Sequence, residues 1–199
     1  VSDAFPTATP TFSSSQRKVR IAHSNHCMHS ASNNVIITGV TSEVSPTYLT
    51  AAISATDTTV NVNDASAFHT TINGNTISST VKGYARIVSD AGTEVVSYTA
   101  ISNDFKTITV SERGLDGTTA VSHVDESVVE CYNLDGIPLI EINKTHTGIL
   151  NPTLDSYEIA TSSIAKLGIR SGGTGVVATQ NIQYDICLLY TSPSPRDLA

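Results

Sequence analysis

The sequence predicts a mainly β protein, with short antiparallel strands gathered into small sandwich- or barrel-like modules and little helix. Three observations predict it. Thr, Val and Ile, which are stiff at χ1 and suit a pleated surface, are abundant, and the turn formers Ser, Asn, Asp and Gly separate them. Stretches such as Thr58–Val62 and Tyr84–Val88 alternate with the period of two that a half-buried strand requires. The runs of Leu, Glu, Lys and Ala that favour long helices are missing, and charged residues make up only 15% of the 199.

Residues 1–16 are rich in Pro, Thr and Ser without periodicity and read as a linker or extended arm. Residues 17–46 read as an N-terminal β segment: a strand at Arg17–Ala22, a polar, His-rich turn over 23–34, a second strand at Val35–Val40, and a break at Pro46. Residues 47–133 read as a central β module. Tyr48–Ile53 is apolar, Ser54–Asp57 is a turn and Thr58–Val62 a strand; Phe68 is a core anchor and 69–81 a polar loop. Tyr84, Arg86 and Val88 should share one face of the next strand, with Ala85 and Ile87 on the other. Ser89–Gly92 has the composition of a hairpin turn. Strands at Thr93–Thr99 and Thr107–Val110 flank a turn at Ser102–Lys106, and Ser127–Tyr132 closes the module. An internal echo runs through it: Ile53–Val62 matches Ile101–Val110 at four of ten positions, as if one strand–turn–strand device were used twice.

Residues 134–186 read as a truncated C-terminal β segment. Asp135-Gly136 is a turn, Ile137–Ile142 a strand that either lies at an edge because of Pro138 or begins just after it, and Tyr157–Thr161 and Gly175–Tyr184 are further strands, with one helical turn at Ser162–Leu167 between them. The tail from Cys187 to Asp197 resembles one reading frame of a transposon-based short-read library adapter, with Leu198 and Ala199 then coming from the adjoining index. Residues 187–199 are therefore expected to be a non-native tail on a chain open at both ends, drawn from environmental DNA. The alternative is a genuine Pro-Ser-rich linker at Thr191–Arg196.

The net charge of −7 argues against a nucleic-acid groove, which needs clustered Lys and Arg; the short cluster Arg17, Lys18, Arg20 reads as a solvated strand edge. No apolar run approaches the roughly 18 residues of a membrane helix. The expectation is no nucleic acid and no membrane as partners. The strongest chemical candidate is His23, His26, Cys27 and His29, four metal-capable side chains within seven residues. A turn there assures neither helical nor strand geometry, and the alternative is a polar loop whose histidines bond the backbone. His123 beside Asp125 and Glu126 suggests acid–base work, but no nucleophile or second tuned carboxylate stands nearby in sequence. Gly172–Gly175 lacks the Lys of a phosphate loop, and Asn143-Lys144-Thr145 fits a glycosylation sequon. Cys27 and Cys131 are expected to be free, buried thiols. No catalytic, cofactor-binding or metal-ligating residue is assigned, and no cofactor is expected.

Tyr84–Tyr132 resembles a module recurring in tail-associated phage proteins. The shared pattern is Gly83, Glu94–Thr99, Ile108–Val110, Arg113-Gly114, Gly117–Ala120, His123 and Val128-Val129. Through Val19–His29, Gly136–Thr147 and Leu154–Tyr157 as well, residues 17–185 resemble large virion structural proteins of marine myophages related to T4. Where members of that family often carry Gly, this chain has Cys27. The resemblance implies a structural role in tail, baseplate or neck, in a virion assembled in the host cytoplasm. It implies other virion proteins and a homo-oligomer as partners, with host-surface contact possible, and it brings no catalytic residues. Arg113-Gly114 is expected to form a tight turn whose Arg pairs with Glu94 or Glu112. The alternative role is a receptor- or glycan-binding module of a phage fibre or bacterial surface adhesin. Against it stand the few aromatics, 6% with no Trp. A glycan hydrolase would need two carboxylates facing across a cleft.

Overall fold

The computed structural model describes residues 5–6, 9–12, 17–24, 26–165 and 175–181. The chain is mainly β, 45% strand, and among the described residues no helix reaches seven residues. In chain order the strands are β1 (Phe5–Pro6), β2 (Thr9–Phe12), β3 (Lys18–Ala22), β4 (Asn34–Thr38), β5 (Thr47–Tyr48), β6 (Thr59–Asn61), β7 (Thr71–Ile72), β8 (Asn75–Thr76) and β9 (Gly83–Ser89). There follow β10 (Gly92–Ile101), β11 (Thr107–Leu115), β12 (Val128–Cys131), β13 (Asn133–Leu134), β14 (Ile137–Pro138), β15 (Thr145–His146), β16 (Ser156–Ala160) and β17 (Val177–Asn181). The tail at 187–199, Cys187 and the Gly172–Thr174 stretch lie outside the described residues.

The central module is a six-stranded antiparallel sheet in the order β5-β12-β9-β10-β11-β6, coiled into a half-barrel. Its two edges meet at a single bridge, Leu49 to Val62, with Thr50 N–H donating to the Asn61 carbonyl (3.0 Å) and Asn63 N–H to the Tyr48 carbonyl (2.9 Å). Closure leaves few unpaired backbone groups along the seam. The alternation read from the sequence decides what fills the interior: Ala85 and Ile87 point in and are fully buried, whereas Tyr84, Arg86 and Val88 are only partly so. Phe68 is a core residue, 6.4 Å between ring centroids from Tyr98. The Tyr98 hydroxyl donates to the His69 carbonyl (2.8 Å), so the large ring is buried without an orphaned oxygen. Gly83 has its place for a steric reason, since a Cβ there would fall inside the Tyr98 ring.

The sequence echo has a structural counterpart. Val60 of β6 pairs with Ile108 of β11, its own equivalent in the repeat. Val62 N–H donates to the Lys106 carbonyl (2.9 Å) and, reciprocally, Val110 N–H to the Thr58 carbonyl (2.8 Å). The preceding turns match as well: Asp57 N–H reaches the Ser54 carbonyl (3.4 Å) as Phe105 N–H reaches that of Ser102 (2.9 Å). The device is used twice, and its two copies face each other across a local two-fold axis.

The described residues of the segments 17–46 and 134–181 fold together as a sandwich. One sheet runs β1-β17-β4-β15 and the other β16-β3-β2, so the N-terminal arm lends one edge strand to each. Val19, Ile21, Tyr157 and Ile159 face Val35, Ile37 and Ala178 across the core, and Leu134, Ile137, Leu139 and Ile142 fill its middle. Each such fully buried large side chain contributes about 1.5–3 kcal/mol. Val95 and Tyr132, with half-buried Tyr84 and Leu115, join this core from the outer face of the barrel. Val95 therefore serves one core while its neighbour Val96 serves the other, and β10 is buried on both faces from Glu94 to Tyr98.

Three elements differ from the sequence reading. The loop at 69–81 contains the hairpin β7–β8, turned by Asn73 (φ 52°) and Gly74 (φ 76°), the two left-handed residues a type I′ turn demands. The strand expected at Ile137–Ile142 stops after Pro138 and becomes a 3₁₀ turn, Leu139–Glu141, because this segment must double back to plug the sandwich core. Residues 162–165 are not helical: the Glu141 carboxylate takes Ser162 N–H (2.6 Å), Ser163 N–H (3.0 Å) and the Ser163 hydroxyl (2.7 Å), so the backbone finds its partner outside a helix. Residues 166 and 167 of that expected turn lie outside the described residues.

Candidate functional site

Alternation along β10 places Glu94 on the same face as Val96 and Tyr98, pointing into the end of the barrel. A carboxylate buried at 0% exposure is costly unless it is paired and bonded. Here the pairing is complete. Arg113 grips it as a fork, Nε to Oε1 and Nη2 to Oε2, both at 2.7 Å. Gly114 N–H (3.1 Å) and Val121 N–H (3.2 Å) donate to the same two oxygens, and His123 Nε2 lies 3.1 Å from Oε2. Gly114 is held at φ 65°, a conformation that turns its N–H inward at no Cβ cost. The remaining guanidinium hydrogens reach the carbonyls of Ser54 (2.6 Å), Asp57 (3.2 Å) and Val121 (2.9 Å). Burial pushes the Glu94 pKa up, but the Arg113 fork, the Val121 amide and His123 outweigh it and hold the carboxyl below its ordinary value.

His123 completes the clamp. Its Nδ1 lies 2.8 Å from the Ser89 hydroxyl, and its backbone bonds both ways with Ile53 (2.9 and 3.0 Å). With Nε2–H donating to Glu94, Nδ1 accepts from Ser89 O–H, a tautomer assigned from the network. Ser89, His123 and Glu94 have the connectivity of a nucleophile, base and orienting acid. The imidazole is only 1% exposed, and Glu94 is already neutralised by Arg113, so the arrangement ties four chain segments together and offers substrate no access to the base. Sequence reading placed His123 beside Asp125 and Glu126; both are exposed, and its acidic partner is Glu94. Of the two partners expected for Arg113, Glu94 has the fork, while Glu112 pairs with Lys82 (2.8 Å). The signal for the clamp was a lone carboxylate inside the apolar strand Glu94–Thr99.

The histidine-rich turn is split by the fold. His23 and His26 are buried, 5.7 Å apart between ring centroids and packed on Tyr157, whereas Cys27 and His29 are exposed. Both nitrogens of His26 are engaged: Nδ1 accepts from Met28 N–H (3.0 Å) and Nε2 faces the Ser156 carbonyl (3.3 Å). Burial, and then the neighbouring His26, lower the His23 pKa. Among the described residues no three His, Cys, Asp or Glu side chains converge as a metal site. Cys27 sits at φ 54°, in the left-handed region that favours Gly, and its exposure departs from the buried thiol expected, whereas Cys131 is buried.

The other motifs serve the fold as well. Asn143 of the sequon spends its amide on Val40, donating to the carbonyl (2.9 Å) and accepting from the N–H (3.0 Å). Lys18 pairs with Glu158 (2.7 Å) and Arg20 bonds the Ser156 hydroxyl (3.0 Å), tying β3 to β16. No helix among the described residues is long and apolar enough to cross a membrane. No family model matches the chain, and neither a curated protein nor a solved structure matches it.

Proposed function

We propose that the chain is a structural component of a bacteriophage virion, tail- or baseplate-associated, acting through assembly with other virion proteins and with copies of itself. One observation carries this reading: the motif residues on which the phage resemblance rests, Glu94, Arg113, Gly114 and His123, are spent on a buried clamp and not on an open site. A virion part must stay folded outside the cell for long periods, and that calls for a high barrier to unfolding. A coiled sheet joined along its seam, with its buried Glu94 carboxylate bonded to five donors, suits that demand. On this reading the protein works in the virion after assembly in the host cytoplasm, and it is not an enzyme.

The test is recovery of the full gene from unsheared DNA, followed by immunogold labelling of the corresponding particles. The reading expects tail or baseplate genes as neighbours and gold on the tail. Metabolic neighbours and unlabelled particles would contradict it.

A further inference from the structure

The outer side of the barrel seam carries a cleft. Because Leu49 and Val62 point inward at the closing bridge, the residues flanking them, Tyr48, Thr50, Asn61 and Asn63, share the outer face. A hollow of about 590 Å³ opens there, lined by Tyr48, Leu49, Thr50, Asn63, Asp125 and Glu126. A second, of about 380 Å³, continues past Asn61, Val62 and Lys106 and shares Thr50 and Asn63 with the first.

The chemistry of this lining differs from that of the rest of the barrel. Tyr84, Tyr98 and Tyr132 are partly or wholly buried in the cores, but Tyr48 is 48% exposed at the cleft. Glu126 is held at φ 64° by its own N–H, which donates to the Leu49 carbonyl (3.1 Å) and to the Asp125 carboxylate (3.0 Å). At the far end the Lys106 ammonium bonds the Asn63 carbonyl. The cleft thus combines an exposed aromatic ring, two amide side chains, a hydroxyl, two carboxylates and an ammonium. Both signs of charge and both senses of hydrogen bond are present.

We propose that this cleft binds a short neutral oligosaccharide. A sugar ring offers an apolar C–H face, which stacks on an exposed aromatic, and vicinal hydroxyls that donate to Asp125 and Glu126 while accepting from the amides of Asn61 and Asn63. Two linked hollows match more than one ring, and their size lies within the range of ordinary ligand sites. A cation-selective site would stack its ligand on Tyr48 with only carboxylates around it; Lys106 on the same groove disfavours that. The proposal stands independently of the assembly reading.

The test is an amide NMR titration of the full chain with lactose, maltotriose and tri-N-acetylchitotriose, each to about 10 mM, ten times a millimolar Kd. Shifts confined to the signals of Thr50, Asn63, Lys106 and Glu126, for at least one sugar, are expected. Tyr48→Ala should bind roughly tenfold or more weakly, as loss of a central aromatic anchor does. Tyr48→Phe should retain binding, and Asn63→Ala supplies a second test if Tyr48→Ala does not fold. Unchanged signals at Glu94 and His123 mark a folded variant. Failure of all three sugars, binding indifferent to Tyr48 and Asn63, or shifts induced by arginine amide or Ca²⁺ and not by sugars would each overturn the proposal. None of these outcomes moves the immunogold result.

Discussion

In the barrel, the buried Glu94 carboxylate meets five donors, two of them from one guanidinium. In the sandwich, imidazoles are buried: His23 against His26 and Tyr157, and His146 with Nε2 on the Ile142 carbonyl (2.9 Å). One region buries a charge and neutralises it in place. The other buries imidazoles, and burial lowers the pKa of His23 and His146. The two halves share a packed face, yet they should fail under different insults.

The largest effect should come from Arg113→Ala. It leaves Glu94 buried with its main partner gone, and breaking a buried pair in that way costs about 3–5 kcal/mol. Urea unfolding should show the loss, with protection in β9–β11 falling first in hydrogen exchange. A variant of unchanged stability would remove the clamp from the account. Next comes Gly83→Ala, which forces a methyl into the Tyr98 ring and should cost about 1–3 kcal/mol as overpacking. The same Gly→Ala change at Gly74, where a Cβ meets nothing, should cost less, about 1 kcal/mol for the left-handed backbone alone.

Acid should separate the two regions. The unfolded chain protonates its imidazoles near pH 6.5. In the folded chain burial, then the charge of His26, lower the His23 pKa; burial likewise lowers that of His146, outweighing the Ile142 carbonyl that raises it. The unfolded state therefore takes up protons first as pH falls. The stability these histidines lend is complete above about 6.5 and is lost as the pH drops through their folded values. The depressed Glu94 lends stability above the ordinary Glu pKa of about 4.3 and loses it only as pH falls through its own lower value. Hydrogen exchange at pH 7 and 5.5 should show protection fading in β3, β4 and β16 while β9–β11 hold. Fading in the barrel first would reverse the comparison. The smallest effect is a gain: Cys27→Gly relieves a left-handed L-residue, about 1 kcal/mol before the added freedom of the unfolded chain is subtracted, and should raise the sandwich's stability by a few tenths.

Much of the fold was legible because period-two alternation is a local signal. Tyr84–Val88 revealed both its faces, and Asp135 (φ 49°) with Gly136 (φ 85°) turned the β13–β14 hairpin as its composition required. Asn73-Gly74 carries an equally strong local signal, but it is embedded in a polar stretch with no flanking period-two alternation to mark a hairpin. What local pattern did not contain was partnership across long separations. Nothing in the sequence of 17–46 or 134–186 says that the two complete each other's sheets, or that Pro138 leads into a plug and not a strand. The same limit governs the clamp. The sequence offers Glu94 or Glu112 as the partner of Arg113, but it sets His123 beside Asp125 and Glu126, and only the coiling of the barrel brings His123 to Glu94. Tyr48 looked like one more apolar strand residue until closure of the seam left it facing out.

The most direct test of the account is a double-mutant cycle between Glu94→Leu and Arg113→Met, read by urea unfolding of the two single variants, the double variant and the parent. A structural clamp predicts that each single variant is damaged and that the double variant regains much of the loss, because a buried pair replaced whole by apolar side chains of similar volume is often near neutral. The coupling should reach about 2 kcal/mol or more, within the range measured for residues in direct contact. Additive losses with no recovery would contradict the claim that these motif residues exist to hold the barrel closed on itself.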